Sequence, residues 1–397
     1  MKKLIRTSTI GLSLNIFCNG LLRELSAEGY EVVALSSPDA DLEIVGKREG
    51  VKAIGVEMER RISLLKDLKS LMRLIKVFRE EKPDMVHSIT PKAGLLSMIA
   101  ARIAGVPVRL HTFTGLVFPT SIGLKRKILM LTDKITCRCA THILAEGSGV
   151  KNDLISNSIT KKEVRVLGYG NLRGIDLDFY CRTPEVESRA KEIRARLNAS
   201  GDTFVFVFIG RFAGDKGVDN LMAAFDVLIK EGHDVRLIMT GDFEGQDPLK
   251  PSTIHMMEKS PYVLKSSGWV NDVRPYLAAA DALVFPSRRE GFPNVVIEAG
   301  ALDIPSIVTD INGSREIIVP GINGSIVPPD DFDALLREMR RFIENRDFVK
   351  GLSSESRRMV AERYEQSFVR NNLKEYYREI QYQSVIHSDE SISRPHF

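Results

Sequence analysis

The stretch FPSRREGFPNVVIEAGALDIPSIVTDINGSREII, from Phe285 to Ile318, holds two glutamates, Glu290 and Glu298, eight residues apart around a Gly-Phe-Pro-Asn turn. The run into it, Asp281 to Phe285 (DALVF), is short, apolar and of β-propensity. Gly291 and Pro293 break that run, and Asn294 is placed to cap a helix starting near Val295. The pattern is strand, turn, helix. Glu290 then stands in the loop at the carboxyl end of a strand, where open α/β sheets bind ligands, and Glu298 lies about one turn inside the helix. Both can face one small polar ligand. A bare Glu pair at this spacing is otherwise a solvated loop residue and a helix-face carboxylate.

The same alternation fills the second half of the chain. TFVFVFIG (203–210), VRLIMTG (235–241), DALVFPS (281–287) and IPSIVTD (304–310) read as strands, and 218–232 and 273–280 as helices. The first half repeats it. Strands are expected at 4–10, 31–37, 84–89, 108–113 and 141–146, with helices over 15–28, 63–81, 94–104 and 125–139. Strands alternating with helices give parallel, doubly wound sheets. Two Rossmann-like domains in tandem follow: 1–170, then 171–363, with helices expected over 333–342 and 354–378. GYGNLRG (168–174) has GxGxxxG spacing, which fails the dinucleotide fingerprint, and it reads as the interdomain linker. The chain ends in a helical segment to 386 and a Ser-rich tail, 387–397, expected to be disordered.

Composition agrees with two globular domains: 397 residues, 43% hydrophobic, net charge +4. That charge is too weak to imply nucleic acid. Cys18, Cys137, Cys139 and Cys181 form no CxxC and no metal-ligand spacing, and suit a reducing cytosol. No secretory signal and no run of about 18 apolar residues is evident, so a cytoplasmic or peripheral protein is expected.

Two further loops carry chemistry. Gly210-Arg211 ends an apolar strand, and Lys216-Gly217 follows just before a helix. Main-chain N–H groups, a helix terminus, a bidentate Arg211 and a point-charge Lys216 suit a diphosphate. As a plain alternative, Asp215 pairs with either cation in a structural salt bridge. Gly313-Ser314-Arg315 opens another helix. Its amides can meet an anion, or Ser314 is simply a cap.

EGFPNVVIEA, the following IPSIVTD and Gly-Ser-Arg-Glu-Ile-Ile, with the GR…KG loop about 80 residues earlier, resemble the C-terminal signature of retaining GT-B glycosyltransferases of family GT4. The resemblance spans roughly Lys3 to Tyr377. It implies the GT-B fold, two Rossmann-like domains facing a central cleft, the last helix crossing back onto the first. Catalytic roles fall on Glu290 (transferred sugar), His111, Arg211 and Lys216. Donor binding falls on Gly210, Arg211, Lys216, Val270, Gly291, Phe292, Pro293, Asn294 and Glu298, the last holding the ribose hydroxyls. TGDF (240–243) and SGWVNDV (267–273) approach the nucleobase, the alternative for Trp269 being a partly buried aromatic. His111 would hydrogen-bond sugar or acceptor, or else is structural. His87 is a weaker candidate, and the TPKAG turn (90–94) suits an anionic acceptor. One departure is Gly11-Leu12-Ser13-Leu14-Asn15, where relatives carry Gly-Gly.

The implied reaction moves a sugar from a nucleotide donor, with UDP as the expected base and an N-acetylhexosamine as a candidate sugar, to a polyprenyl-diphosphate-linked glycan of a bacterial cell surface. It requires no metal and no cofactor. Basic residues in the first domain (Arg60, Arg61, Lys66, Lys69, Arg73, Lys76, and Lys125 to Lys127) sit near apolar Leu116, Val117 and Phe118. They form solvated faces or a docking surface for anionic lipid. The rivals are a sugar-nucleotide epimerase of related fold and a nucleotide-sugar-binding scaffold without turnover.

Overall fold

The second sheet grows around a strand that is apolar on both faces, whereas the central strands of the first also bury Arg6, Thr7, His87 and Ser88. The computed structural model describes residues 2–59, 63–245, 247–266 and 268–392. The chain divides into two units, Met1–Gly174 with Ser367–Phe397, and Ile175–Gln366. In the first, β1 (Lys2–Thr7), β2 (Tyr30–Ser36), β3 (Lys52–Gly55), β4 (Met85–Ile89), β5 (Val108–Phe113), β6 (His142–Ala145) and β7 (Val164–Arg165) pair in the order β3-β2-β1-β4-β5-β6-β7. In the second, β8 (Phe204–Ile209), β9 (Val235–Thr240), β10 (Val263–Lys265), β11 (Ala282–Phe285), β12 (Ser306–Thr309) and β13 (Gly324–Val327) run β10-β9-β8-β11-β12-β13. Every pairing is parallel. The order reverses between β1 and β4, and again between β8 and β11. Those switch points are where doubly wound sheets leave a crevice for ligands.

Burial explains the centres. In β8, Phe204, Phe206 and Phe208 and the intervening Val205 and Val207 have no exposed surface, because helices cover both faces of a parallel sheet. Phe225 of the helix Val218–Lys230 and Phe342 of the helix Phe332–Glu344 are equally buried. Each such side chain contributes roughly 1.5–3 kcal/mol.

Several elements differ from expectation. One helix was expected over 15–28. The chain forms Gly11–Phe17 and Leu21–Ala27 instead, separated at Gly20, whose φ of 76° is left-handed. The helix expected over 354–378 is likewise two, Arg346–Tyr364 and Gln366–Ile392. Glu365 between them is extended, and the main chain beside it is bonded to Ile175: Ile175 N–H donates to Tyr364 O and Gln366 N–H to Ile175 O. The last helix also runs to Ile392, into the tail expected to be disordered from 387. Its first helix-breaking residue, Pro395, falls among 393–397, outside the described residues.

The last helix belongs to the first unit. Leu373, Tyr376, Tyr377 and Ile380 are buried with Leu4, Leu14 and Leu22. Arg370 and Lys374 pair with Glu24, and Lys374 and Arg378 with Glu28. Beneath it, the buried Arg6 and His87 both bond the Tyr377 hydroxyl, at 3.0 and 2.5 Å.

Candidate functional site

In the second unit, the loops after β8 and β11 meet because those strands are neighbours. After β8 the chain passes Gly210 and Arg211, makes a turn at Gly214–Lys216, and enters the helix Val218–Lys230 through Gly217. Gly217 has φ of 70°, and a Cβ there would lie 2.0 Å from the Pro286 carbonyl oxygen, so only glycine lets the loop close on the end of β11. Asp247 fastens the turn from outside: its carboxylate accepts from Asp215 N–H at 2.6 Å and its carbonyl from Gly214 N–H at 3.1 Å.

Lys216 and Glu290 form an ion pair, both side chains largely buried. Glu290 Oε1 also accepts from the Ser287 hydroxyl at 2.8 Å. Asp215 does not take Lys216. It takes Arg211 and Arg289, each at 3.4 Å, while Arg211 also pairs with Glu244 at 3.0 Å. Three cations therefore converge, each matched to a carboxylate. Ser287, Arg289, Asp247 and Thr309, which donates to the Ser287 carbonyl, were not singled out by the sequence. The only signal for Ser287, Arg289 and Thr309 is adjacency to strand ends, and Asp247, in the long loop after β9, carries none.

Beyond Glu290 the turn is tightly built. Phe292 is buried edge-on against Tyr364, ring centres 5.6 Å apart. Gly313, with φ of 75°, sits so close to the turn that a Cβ would come within 2.6 Å of the Gly291 carbonyl oxygen. Asn294 is not the cap. Pro293 occupies that position with an extended ψ of 100°, and Asn294 is the first residue of the helix Asn294–Ala301. The fixed φ of proline suits the entry, so the helix starts one residue earlier. Glu298 lies in the second turn of that helix, partly exposed. Ser314 does not cap its helix either: Gly313 precedes Ser314–Ile317, and the Ser314 hydroxyl is buried.

The loop toward the expected base site is held through the Gly241 main chain, which bridges Gly268 and donates its N–H to the Ser266 side-chain Oγ at 3.3 Å. Val270 is partly exposed there. Trp269 is not partly buried. It is 71% exposed, its indole N–H on Asn271 Oδ1 at 3.1 Å.

In the first unit His111 lies within β5, beside Ser88 of β4, whose hydroxyl is 2.8 Å from His111 Nδ1. The ring is buried against Gly94, where a Cβ would lie 2.3 Å from it, and edge-on to Phe113. Burial drops its pKa to about 3, so it is neutral near pH 7. His87 is held well below its ordinary value by burial and then by the Arg6 charge. At the departure from the Gly-Gly pattern, Gly11 starts a helix, its N–H on Asp39 Oδ2 at 2.8 Å, while Leu14 is core.

The apolar residues expected beside the basic face are mostly elsewhere. Leu116 and Phe118 are buried because they pack into the core under the loop. Ile122, Leu124, Ile128 and Leu131 are exposed instead, as are Leu64, Leu65, Leu68 and Met72. Arg60 and Arg61 lie outside the described residues. Among the described residues no helix is long and apolar enough to cross a membrane, and no three His, Cys, Asp or Glu are grouped to hold a metal ion.

Residues 189–364 match the family model described as glycosyl transferases group 1, and residues 14–170 that of the glycosyl transferase 4-like domain. A capsular polysaccharide biosynthesis glycosyltransferase, CapM of Staphylococcus aureus, is 31% identical over 378 residues, 95% of this chain and 97% of that one. The chain belongs to family GT4 of the GT-B glycosyltransferases. Among other relatives of this glycosyltransferase is the Escherichia coli UDP-Gal:α-D-GlcNAc-diphosphoundecaprenol α-1,3-galactosyltransferase, 30% identical over 72% of this chain and 73% of the relative. The fold is shared with Anabaena HepE, solved with UDP and glucose, at TM-score 0.79 and 17% identity, over 96% of this chain and 100% of that one. The sucrose-phosphate synthase of Thermosynechococcus elongatus aligns at TM-score 0.79 and 19% identity, over 96% of this chain and 100% of that one.

Proposed function

We propose that this glycosyltransferase moves a sugar from a UDP-linked donor, with retention, to a polyprenyl-diphosphate-linked glycan in the synthesis of a cell-surface polysaccharide. The convergence of Lys216 and Glu290 at the β8/β11 switch point carries the reading. A diphosphate entering there takes Lys216 and Arg211, and Glu290 is released toward the sugar. The bond from C1 to the departing phosphate oxygen breaks and the acceptor oxygen bonds C1 on the same face. The hydroxyl proton passes to that phosphate oxygen. The two cations offset the growing charge, the task a metal ion performs elsewhere. Glu298 takes the ribose hydroxyls, Gly210 and Gly291 to Asn294 line the donor, and Val270 meets the base. Neutral His111 serves as a hydrogen-bonding group near the reaction. The relatives' names support the capsule-type pathway and the lipid-linked acceptor.

Such an acceptor lies at a membrane, and the first unit has a face for one. The helices Leu64–Glu81 and Gly123–Cys139 both pack on the helix Pro91–Ile103 and expose leucine and isoleucine among Lys66, Lys69, Lys125 and Lys127. Apolar insertion with a basic surround suits anionic lipid on the cytoplasmic side. The test is a thermal-shift screen of UDP-, GDP- and ADP-sugars, then transfer to a polyprenyl-diphosphate glycan with UDP release measured. Stabilisation by UDP-sugars and a larger lipid-linked product are expected. UDP-sugar interconversion without transfer would make it an epimerase, and binding alone a scaffold.

A further inference from the structure

Ser287 lies two residues beyond β11 with no exposed surface. Its hydroxyl approaches three oxygens: Glu290 Oε1 at 2.8 Å, and the main-chain carbonyls of Asp215 and Arg289, each at 3.3 Å. A hydroxyl has one proton to donate, and both the shortest distance and the acceptor's charge select the carboxylate. The serine is itself anchored, since the buried Thr309 at the end of β12 donates to its carbonyl. The Glu290 side chain is thus mounted on the ends of two adjacent parallel strands.

Among the described residues, Lys216 and Ser287 are the two side chains that donate to Glu290. The first is not a permanent partner. If the proposed donor site is right, on which this inference rests, a diphosphate carries more negative charge than a carboxylate and draws the ammonium away. Glu290 would then be a carboxylate with three free torsions and one remaining side-chain donor. We infer that Ser287 is a positioning residue, holding the Glu290 carboxylate toward the transferred sugar once Lys216 has passed to the diphosphate. It acts through Glu290 and touches no substrate.

The test is Ser287→Ala in the full chain, alone and with Glu290→Gln. The single variant should lower kcat on the order of ten- to a hundredfold, the scale of one hydrogen bond to a charged group, with KM for UDP-sugar and Kd for UDP near the parent's. In the Glu290→Gln background it should cost almost nothing more, because both changes remove one interaction. Thr309→Val, which frees the Ser287 carbonyl and leaves the hydroxyl in place, should give a smaller kcat loss, and Thr309→Ser should restore the parent rate. Three results overturn the role: parental kcat in Ser287→Ala, an equal further loss in the Glu290→Gln background, or UDP affinity falling in step with kcat. Parental turnover in Glu290→Gln alone would instead overturn the sugar-contact assignment beneath it.

Discussion

Glu290 and Lys216 neutralise each other, which offsets the burial of both charges, and in the proposed reaction each exchanges partners when the donor enters. Glu298 is different, standing on a helix in the next turn of chain. The two glutamates should therefore fail differently. Glu298→Gln removes the charged acceptor proposed for the ribose hydroxyls, and UDP affinity should fall by about 1–3 kcal/mol. Glu290→Gln should bind UDP nearly as the parent does while turnover of UDP-sugar collapses, because the sugar contact proposed for Glu290 matters chiefly in the transition state. Calorimetry with UDP beside a radiolabelled transfer assay reads both. Equal losses of UDP affinity would mean the pair is misassigned.

At the scale of elements, the central strands and the strand-turn-helix around Glu290 were legible because long apolar runs bounded by Gly and Pro admit few readings. The edge strands were not. β3 (KAIG) is mostly exposed, β7 is two residues long, and β10 (VLK) is only partly buried, so none carries an apolar run. The helix Pro184–Arg196 is mostly charged and has a narrow buried stripe, Val186, Ala190 and Ile193. The candidate site divides the same way: Lys216 and Glu290, which the chain brings into an ion pair, stand out by motif, whereas Ser287 and Thr309 acquire meaning only when β11 and β12 are placed side by side. The β4–β5 pair also sets a pH dependence. His111 is buried neutral with a pKa of about 3, against an ordinary value of 6.5 in the unfolded chain. Its contribution is therefore present above pH 6.5 and lost as pH falls from there toward 3. Between pH 7.5 and 5.5 it should cost about 1.4 kcal/mol. Urea titrations of the parent and of His111→Gln at both values test this: the parent should lose that much more than the variant. Asp133, pushed up to about 7 by burial, titrates in the opposite sense in both proteins and cancels from the comparison.

For the whole molecule, the two units have separate cores, and the last helix is a structural part of the first. Tyr377→Phe deletes the hydroxyl shared by buried Arg6 and His87. Stability should drop by about 1–3 kcal/mol in denaturant titration, with UDP affinity unchanged, since every residue assigned to the nucleotide is in the second unit. A parallel loss of UDP binding would show that the nucleotide site depends on the first unit's core. In the proposed mechanism the loop from Gly210 to Gly217 neutralises the departing diphosphate with its own cations. The direct measurement is the rate of sugar transfer by Arg211→Ala and Lys216→Ala, each shown to be folded, alongside the parent in excess EDTA. The parent should keep its rate in EDTA, and each variant should lose roughly a hundredfold or more. Parental rates in both variants, or a parent silenced by EDTA and restored by Mg2+ or Mn2+, would contradict it.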